Sequence, residues 1–191
     1  MRKFLFSLIF SLVIVQVSGQ KLPKVEMKCE QGTILVEIDT INAPVSAINF
    51  SEHVQKGTFA DAVFYRVVRP DNQPNNKVKI EVIQGGLFLD KKIEEIKPIR
   101  HETTKETGIL HLDGTISMAR NQPGSASTEF FICVGDQPEL DFGGKRNPDG
   151  QGFAAFGKVI KGMDVVRKIQ QQKDENQYLV DRIRITEIRI K

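Results

Sequence analysis

The sequence predicts a mainly β protein. Most of its structured segments are short runs rich in apolar residues, few segments have helical spacing, and strands do not alternate with helices. This combination favours a closed β structure over a parallel α/β fold. Closure would remove the exposed strand edges on which other chains can pair. The pattern alone does not distinguish a barrel from a two-sheet sandwich.

The first predicted elements are two strands and a helix. The strands are expected at residues 25–29 and 33–39, because apolar and polar side chains alternate in the second run. Asn42 can cap the helix that follows, Pro44 fits its first turn, and Gly57 ends it. These signals predict a helix of about three turns packed on the sheet.

The rest of the chain adds further strands and one more helix. Strand patterns occur at residues 62–68, 78–83, 115–119, 129–134 and 153–159. A short helix is predicted at 163–171. The last strand, 179–190, places its isoleucines in alternation, with a slip at Thr186-Glu187. Such a slip indicates a β-bulge.

The N-terminus has the features of a secretory leader. Arg2 and Lys3 precede an apolar run at residues 4–17, and Ser18-Gly19 supplies small side chains before a cleavage point. The run is shorter than the ~20 residues that a membrane span needs. We therefore expect a signal peptide at 1–19, one domain at 20–191, and an exported protein, periplasmic or secreted. A retained signal anchor is the alternative.

Charge argues against a nucleic-acid partner. The chain has 27 basic and 24 acidic residues, and loss of Arg2 and Lys3 would leave the mature protein almost neutral. Nothing then provides the electrostatic attraction that nucleic acid or anionic lipid requires. No later segment is long and apolar enough to span a membrane, and we expect a monomer.

The cysteines and histidines do not indicate catalytic or metal chemistry. Cys29 and Cys133 lie in predicted strands, where free buried thiols are favoured, although an exported protein permits a disulfide between them. The three histidines lack metal-ligand spacing. Ser125, Ser127 and Thr128 have no matching base, which argues against a hydrolase.

Four short blocks in a fixed order carry the functional signal. They are Phe64-Tyr65-Arg66-Val67-Val68, Val82-Ile83-Gln84-Gly85-Gly86, the segment from Gly114-Thr115-Ile116-Ser117-Met118-Ala119 to Thr128-Glu129-Phe130-Phe131-Ile132, and Phe153-Ala154-Ala155-Phe156-Gly157-Lys158-Val159. Together they offer one arginine, one glutamine and an apolar floor. These residues in this order resemble the cyclophilin family of peptidyl-prolyl cis-trans isomerases, in particular its exported bacterial branch.

The resemblance covers residues 25–191 and implies a fold, an activity and a site. The fold is a closed eight-stranded antiparallel barrel capped by two α-helices. The activity is rotation about X-Pro bonds in proline-containing polypeptides, which assists folding and needs no cofactor or metal. The positions that match the family's site are Arg66 as the catalytic residue and Val82, Gln84, Ala119, Arg120, Glu129, Phe131, Leu140 and Phe153 as substrate-binding residues.

The resemblance also implies a role for each position. The guanidinium of Arg66 would act on the prolyl nitrogen, and Gln84 would bind the substrate's carbonyl region and steady Arg66. Phe131, with Val82 and Leu140, would form the floor of a proline pocket. Backbone groups of residues 119–120 would hold the peptide chain.

Some positions depart from the family pattern. Glu129 stands where a glutamine is usual, and could either pair with Arg66 and orient it or compete with substrate for it. Glu139 stands where an aromatic residue commonly precedes Leu140, which predicts weak binding of cyclosporin-like ligands. Phe153 replaces the histidine or tyrosine that often lines the groove.

Two other functions stay open at this point. The chain could be a binding module that kept the groove and lost catalysis, which Glu129 and a long turn-rich loop at 69–76 favour. It could also be a general chaperone with an apolar surface and incidental isomerase activity. Retention of Arg66 argues for the enzyme.

Overall fold

A computed structural model describes residues 21–191. The predicted signal peptide lies outside the described residues, so the leader and the domain boundary stay predictions. Within the described part of the chain, no helix is long and apolar enough to cross a membrane.

Residues 21–191 form ten strands, four α-helices and three 3-10 turns. The strands are β1 (Lys24–Cys29), β2 (Gly32–Ile38), β3 (Val63–Val68), β4 (Val82–Gly86), β5 (Thr115–Met118), β6 (Phe130–Cys133), β7 (Ala154–Lys161), β8 (Asp174–Glu175), β9 (Tyr178–Arg184) and β10 (Glu187–Ile190). The helices are α1 (Pro44–Gln55), α2 (Asp90–Glu94), α3 (Thr104–Thr107) and α4 (Met163–Gln170). The 3-10 turns are Thr58–Asp61, Pro70–Asn72 and Pro138–Leu140.

All strands belong to one antiparallel sheet, and most neighbouring strands in it are not consecutive along the chain. Their order is β10-β1-β2-β7-β5-β6-β4-β3-β9-β8. Among the described residues, β10 and β8 are edge strands that do not pair with each other. The mainly β character is as predicted, but the expectation of a closed eight-stranded barrel is wrong: the hydrogen-bonded sheet has ten strands and is open.

The opening follows from the slip at the end of the chain. Instead of a bulge within one long strand, the slip divides the segment into β9, which pairs with β3, and β10, which pairs with β1. Ile185 and Thr186 leave the ladder between them. Their N–H groups donate to Ala62 O and Lys28 O at 2.9 and 2.8 Å. The ladder is therefore interrupted where a continuous last strand would have closed it.

The two longest helices agree with prediction and the two short ones were missed. α2 and α3 are single turns with too few residues to show a 3.6-residue pattern. α3 depends on local capping: Glu106 N–H donates to Thr103 Oγ1 at 3.3 Å, and Gly108 ends the helix with φ 72°.

The cap of α1 comes from far along the chain. Asn42 does not cap the helix; its N–H donates to Asp39 Oδ1 in the preceding turn. The carboxylate of Glu102 instead accepts from Val45 N–H at 3.2 Å and Ser46 N–H at 2.9 Å. A buried carboxylate at the helix N-terminus satisfies free N–H groups and complements the helix dipole.

The core is divided between the two faces of β6. Phe130 faces the larger cluster, where its ring meets those of Phe50, Phe59 and Phe64. Phe131 faces a smaller cluster made of Val68, Ile80, Val82, Phe131, Cys133 and Leu140. Because successive strand residues point to opposite faces, the Phe130-Phe131 pair serves both clusters.

Both cysteines are free thiols. Cys133 is buried and Cys29 is half-buried, and burial raises the pKa of each thiol. A thiol with a raised pKa is a poor nucleophile at neutral pH. That neither cysteine is catalytic stays a prediction.

Candidate active site

One cleft collects all of the predicted site residues. It has a volume of about 780 Å³ and is lined from β3, β4 and β6 and from the segments around Arg120, Arg146 and Phe153. The residues predicted for the site and found in its lining are Arg66, Val82, Gln84, Ala119, Arg120, Glu129, Phe131, Leu140 and Phe153. The structure brings them together, while their individual roles stay predictions.

Strand register explains why these side chains meet. Arg66 on β3 lies opposite Gln84 on β4, Gln84 lies opposite Phe131 on β6, and Phe131 lies opposite Ser117 on β5. Directly opposite residues in antiparallel strands place their side chains on the same face. The arginine, the glutamine and the apolar floor therefore form one row across the sheet.

The Arg66 guanidinium is held by two glutamines. Its Nη1 donates to Gln84 Oε1 at 2.9 Å, and its Nε and Nη2 donate to Gln177 Oε1 at 3.1 and 2.5 Å. Burial lowers the pKa of Arg66, yet an arginine stays charged at neutral pH. The charged guanidinium is thus held in one orientation, and its hydrogen-bond acceptors are all neutral oxygens.

Gln177 was not identified from the sequence. It lies in the turn between β8 and β9, where Asn176 and Gln177 have φ 51° and 75°. Asp174 Oδ2 accepts from Gln177 N–H at 2.9 Å, and Gln177 O accepts from Val67 N–H at 2.8 Å. Asn176 is a turn signal, but Gln177 lies 111 residues from Arg66 in the sequence, so a local pattern could not reveal the contact.

Glu129 does not pair with Arg66. Its Oε1 accepts from Leu87 N–H at 2.7 Å, and its carboxyl group lies against Gly86. Gly86 has φ 146°, and a Cβ there would overlap the carboxyl group, so this approach requires glycine. The expectation that Glu129 forms an ion pair with Arg66 and orients it is therefore wrong.

Glu129 is linked to Arg66 only through intermediates. Gln84 Nε2 donates to the Tyr65 hydroxyl at 2.6 Å, and burial, followed by the Glu129 charge, raises the pKa of Tyr65. Glu129 Oε2 is buried and has no hydrogen-bond partner among residues 21–191. Tyr65 nevertheless lies close enough for the Glu129 charge to raise the pKa of the Tyr65 hydroxyl. Burial raises the pKa of Glu129 itself.

Replacing Glu129 with glutamine is expected to stabilise the protein at neutral pH. A carboxyl group whose pKa is raised on folding favours the folded state while protonated, and that contribution is lost as pH rises through the folded pKa. Glu129→Gln should raise the free energy of unfolding at pH 7, and by progressively less toward pH 4. Urea unfolding of both proteins from pH 4 to 8 checks this. A difference that is constant with pH would contradict it.

The apolar floor has a buried polar support behind it. Phe131 is 4 % exposed and meets Phe153 edge-on at 5.2 Å. On its other side lies the His111 ring, nearly parallel at 5.8 Å. His111 Nδ1 is 2.7 Å from Asp141 Oδ1, and its Nε2 is 3.0 Å from Ser117 Oγ. Sequence analysis missed this support because His111 and Asp141 are 30 residues apart.

This Ser117–His111–Asp141 arrangement does not make the protein a hydrolase. The three residue types match those of a nucleophile, a base and an orienting carboxylate. Ser117 and His111 are fully buried, and the ring of Phe131 lies against His111. A substrate cannot reach the Ser117 hydroxyl, so the arrangement supports the cleft floor.

Arg120 organises the cleft wall with its side chain. Its guanidinium, 1 % exposed, makes two 2.9 Å contacts to Asp149 and donates from Nε to Gly152 O at 2.9 Å. It also lies over the Phe153 ring. Ala119 N–H donates to Glu129 O at 2.8 Å, so this N–H is used inside the sheet and is not free for a peptide.

The described residues offer no metal site. Between residues 21 and 191, no group of three or more His, Cys, Asp or Glu side chains could hold a metal ion. The groups that the cleft offers include the fixed cation of Arg66, amide groups and an apolar floor.

Comparison with known proteins identifies the family. Residues 24–190 match the model of the cyclophilin type peptidyl-prolyl cis-trans isomerases. A peptidyl-prolyl cis-trans isomerase of Acinetobacter baylyi is 40% identical over 148 residues, covering 76% of this chain and 70% of the relative. Peptidyl-prolyl cis-trans isomerase B of Escherichia coli is 34% identical over 142 residues, covering 73% and 79%.

Solved structures give the same fold. A cyclophilin type peptidyl-prolyl cis-trans isomerase of Cryptosporidium parvum superposes with a TM-score of 0.69 at 19% identity, over 89% of this chain and 98% of its own. The same Cryptosporidium protein in the presence of the dipeptide Ala-Pro superposes with a TM-score of 0.67. This chain therefore belongs to the cyclophilin-type peptidyl-prolyl cis-trans isomerases.

Proposed function

We propose that the cleft binds proline-containing polypeptides and accelerates rotation about their X-Pro bonds, with Arg66 as the principal catalytic residue. Family membership supports the activity. The observation that carries the assignment of roles is the row formed by Arg66, Gln84 and Phe131 across three neighbouring strands. This row places the Arg66 cation beside an apolar floor, and a proline ring can pack on such a floor.

The reaction requires stabilisation of a twisted amide. Delocalisation of the nitrogen lone pair into the carbonyl makes the rotation barrier ~20 kcal/mol, and uncatalysed exchange takes ~10–100 s. Exchange in milliseconds requires ~10⁴-fold acceleration, or about 5.5 kcal/mol. In the twisted state the lone pair is localised on nitrogen, so a donor aimed at it binds this state better than either planar isomer.

Arg66 can supply part of this energy and its surroundings the rest. A charged hydrogen bond is worth about 1.5–3 kcal/mol net. Because Gln84 and Gln177 already orient the guanidinium, little reorganisation is needed when the bond twists. Binding the proline ring over Phe131 and fixing the peptide on both sides would supply the remainder. No covalent bond forms or breaks, and no cofactor takes part.

The site of action that we propose is outside the cytoplasm. The basic start, the apolar run at 4–17 and the small residues at 18–19 support export with removal of a leader. Clients would then be exported polypeptides that fold after crossing the membrane. N-terminal sequencing of the exported protein, with Gln20 expected as its first residue, tests this, and a start at Met1 would contradict it.

NMR exchange spectroscopy on a short X-Pro peptide tests the isomerase. Catalytic amounts of the protein are expected to bring cis and trans signals into exchange at rates of tens per second or more, whereas the free peptide exchanges in ~10–100 s. A binding module without catalysis is the second candidate, favoured by Glu129 in place of the usual glutamine. It would shift the peptide signals without accelerating exchange, and that outcome would overturn the isomerase.

A further inference from the structure

We propose that the cleft prefers clients with an acidic side chain next to the proline, and that Arg146 is the residue that recognises it. This inference rests on the proposed function and adds a substrate preference to it. It concerns a second arginine of the cleft, outside the row of Arg66, Gln84 and Phe131, that sequence analysis did not single out.

Arg146 is held in place in the lining of the cleft. It lies in the long loop between Leu140 and β7 and lines the cleft together with Ile80 and Asn147. Its Nη1 donates to Gln73 Oε1 at 3.0 Å and to Val78 O at 2.6 Å. Among residues 21–191, its Nε and Nη2 have no hydrogen-bond acceptor, so one edge of the guanidinium remains for a ligand.

The charges that line the cleft do not balance. They are those of Arg66, Arg120, Glu129 and Arg146. Arg120 is neutralised by its two contacts to Asp149. Arg66 and Arg146 bond only neutral oxygens, and neither forms an ion pair with any other described residue.

The remaining anion does not compensate them. Glu129 accepts from Leu87 N–H and is linked to Arg66 only through Tyr65 and Gln84. The cleft therefore presents two cations without a protein counter-ion. A carboxylate of the substrate would supply the missing counter-ion.

The positive charges of Arg66 and Arg146 interact with each other. Burial lowers the pKa of Arg146, and the charge of Arg66 lowers it further. Like charges that share a half-buried cleft repel, and an anion bound between them relieves the repulsion. Arg146 lines the cleft together with Ile80, which belongs to the same cluster as Phe131. A residue adjacent to a proline seated on Phe131 would therefore pass within reach of Arg146.

A purely structural role makes a different prediction. Through Gln73 and Val78, Arg146 joins the loop at 141–152 to the loop at 69–81. If that were its whole purpose, its replacement would affect all substrates alike. Substrate preference is the readout that separates the two roles.

The experiment compares matched peptides by NMR exchange. One pair carries Glu or Gln before the proline, and a second pair carries Glu or Gln after it, so that the two positions are distinguished. With the native protein, kcat/KM for the Glu peptide of at least one pair is expected to exceed that for its Gln partner by about 10-fold at low salt. The ratio should fall toward unity at high ionic strength.

Variants assign the preference to Arg146. Arg146→Gln is expected to bring the Glu-to-Gln ratio close to unity, and Arg146→Glu to reverse the preference in favour of a Lys peptide. A misfolded variant cannot reverse a preference, so this second variant keeps the test decisive if the first is unstable. Arg189→Gln removes the same charge from β10, outside the cleft, and should leave the ratio unchanged.

The possible outcomes separate this inference from the function on which it rests. Native protein that accelerates Glu and Gln peptides equally would overturn the inference and leave the isomerase intact. A preference that persists unchanged in Arg146→Gln would also overturn it. Native protein that accelerates no peptide would overturn the isomerase and the inference with it.

Discussion

Replacing Arg66 with alanine is expected to lower kcat/KM for X-Pro isomerisation by about 10²- to 10³-fold. The guanidinium is the one charged donor in the row across β3, β4 and β6, and loss of a donor that acts on a transition state has an effect of this order. The loss should appear mainly in kcat, because the apolar floor that binds the proline is unchanged. NMR exchange at several peptide concentrations measures both constants.

Two further variants show whether orientation matters as well as charge. Arg66→Lys keeps the charge but loses the rigid fork that bonds Gln84 and Gln177, so about 10-fold or more of activity should still be lost. Gln177→Ala keeps the arginine and removes the contacts to Nε and Nη2, so kcat should fall while KM changes little. Unfolding in urea verifies that each variant folds. An Arg66→Ala protein within twofold of native activity would contradict the assignment.

The family resemblance predicted that Arg66, Gln84 and Phe131 would share one site. Alternation along the strands does not give this result, because the register of β3 shifts between Phe64 and Arg66, and the adjacent Tyr65 and Arg66 both line the cleft. The order of the blocks, read through the family resemblance, supplied the neighbours of each strand. The structure places these residues in one cleft, and their roles stay predictions.

Contacts between distant segments could not be predicted in this way. Gln177 reaches Arg66 from a turn 111 residues away, and Glu102 caps α1 from a loop 56 residues after Ser46. No periodicity in the sequence reports such pairs, because they depend on how separate elements are placed in space. The His111 contact with Asp141 belongs to the same class.

The error about closure has a related cause. The slip at Thr186-Glu187 was visible in the sequence, but a slip is compatible with a bulge or with the end of a strand. Which of the two occurs depends on the partners: β9 pairs with β3 and β10 with β1. The sequence analysis interpreted the slip as a bulge in one continuous strand, and the observed pairing shows two strands instead.

Replacing Phe130 with alanine is expected to lower the free energy of unfolding by about 3–5 kcal/mol. The ring is fully buried and lies 5.4 Å from Phe50, 6.1 Å from Phe59 and 6.0 Å from Phe64, centroid to centroid. Its removal loses the transfer energy and the edge-to-face contacts, and leaves a cavity in the larger cluster that water does not fill. Urea unfolding at constant pH measures the change.

The neighbouring Phe131 provides the matched control, since it is the same residue type on the same strand. It faces the smaller cluster and the cleft, so water can occupy the space that Phe131→Ala creates, and the loss of stability should be smaller, about 2–3 kcal/mol. The order of the two variants should be reversed for activity, with the larger effect in Phe131→Ala. Phe131→Ala should raise KM for an X-Pro peptide, because the floor under the proline is gone, while folded Phe130→Ala keeps that floor. Equal effects of the two variants on both measurements would show that the faces of β6 do not separate stability from binding.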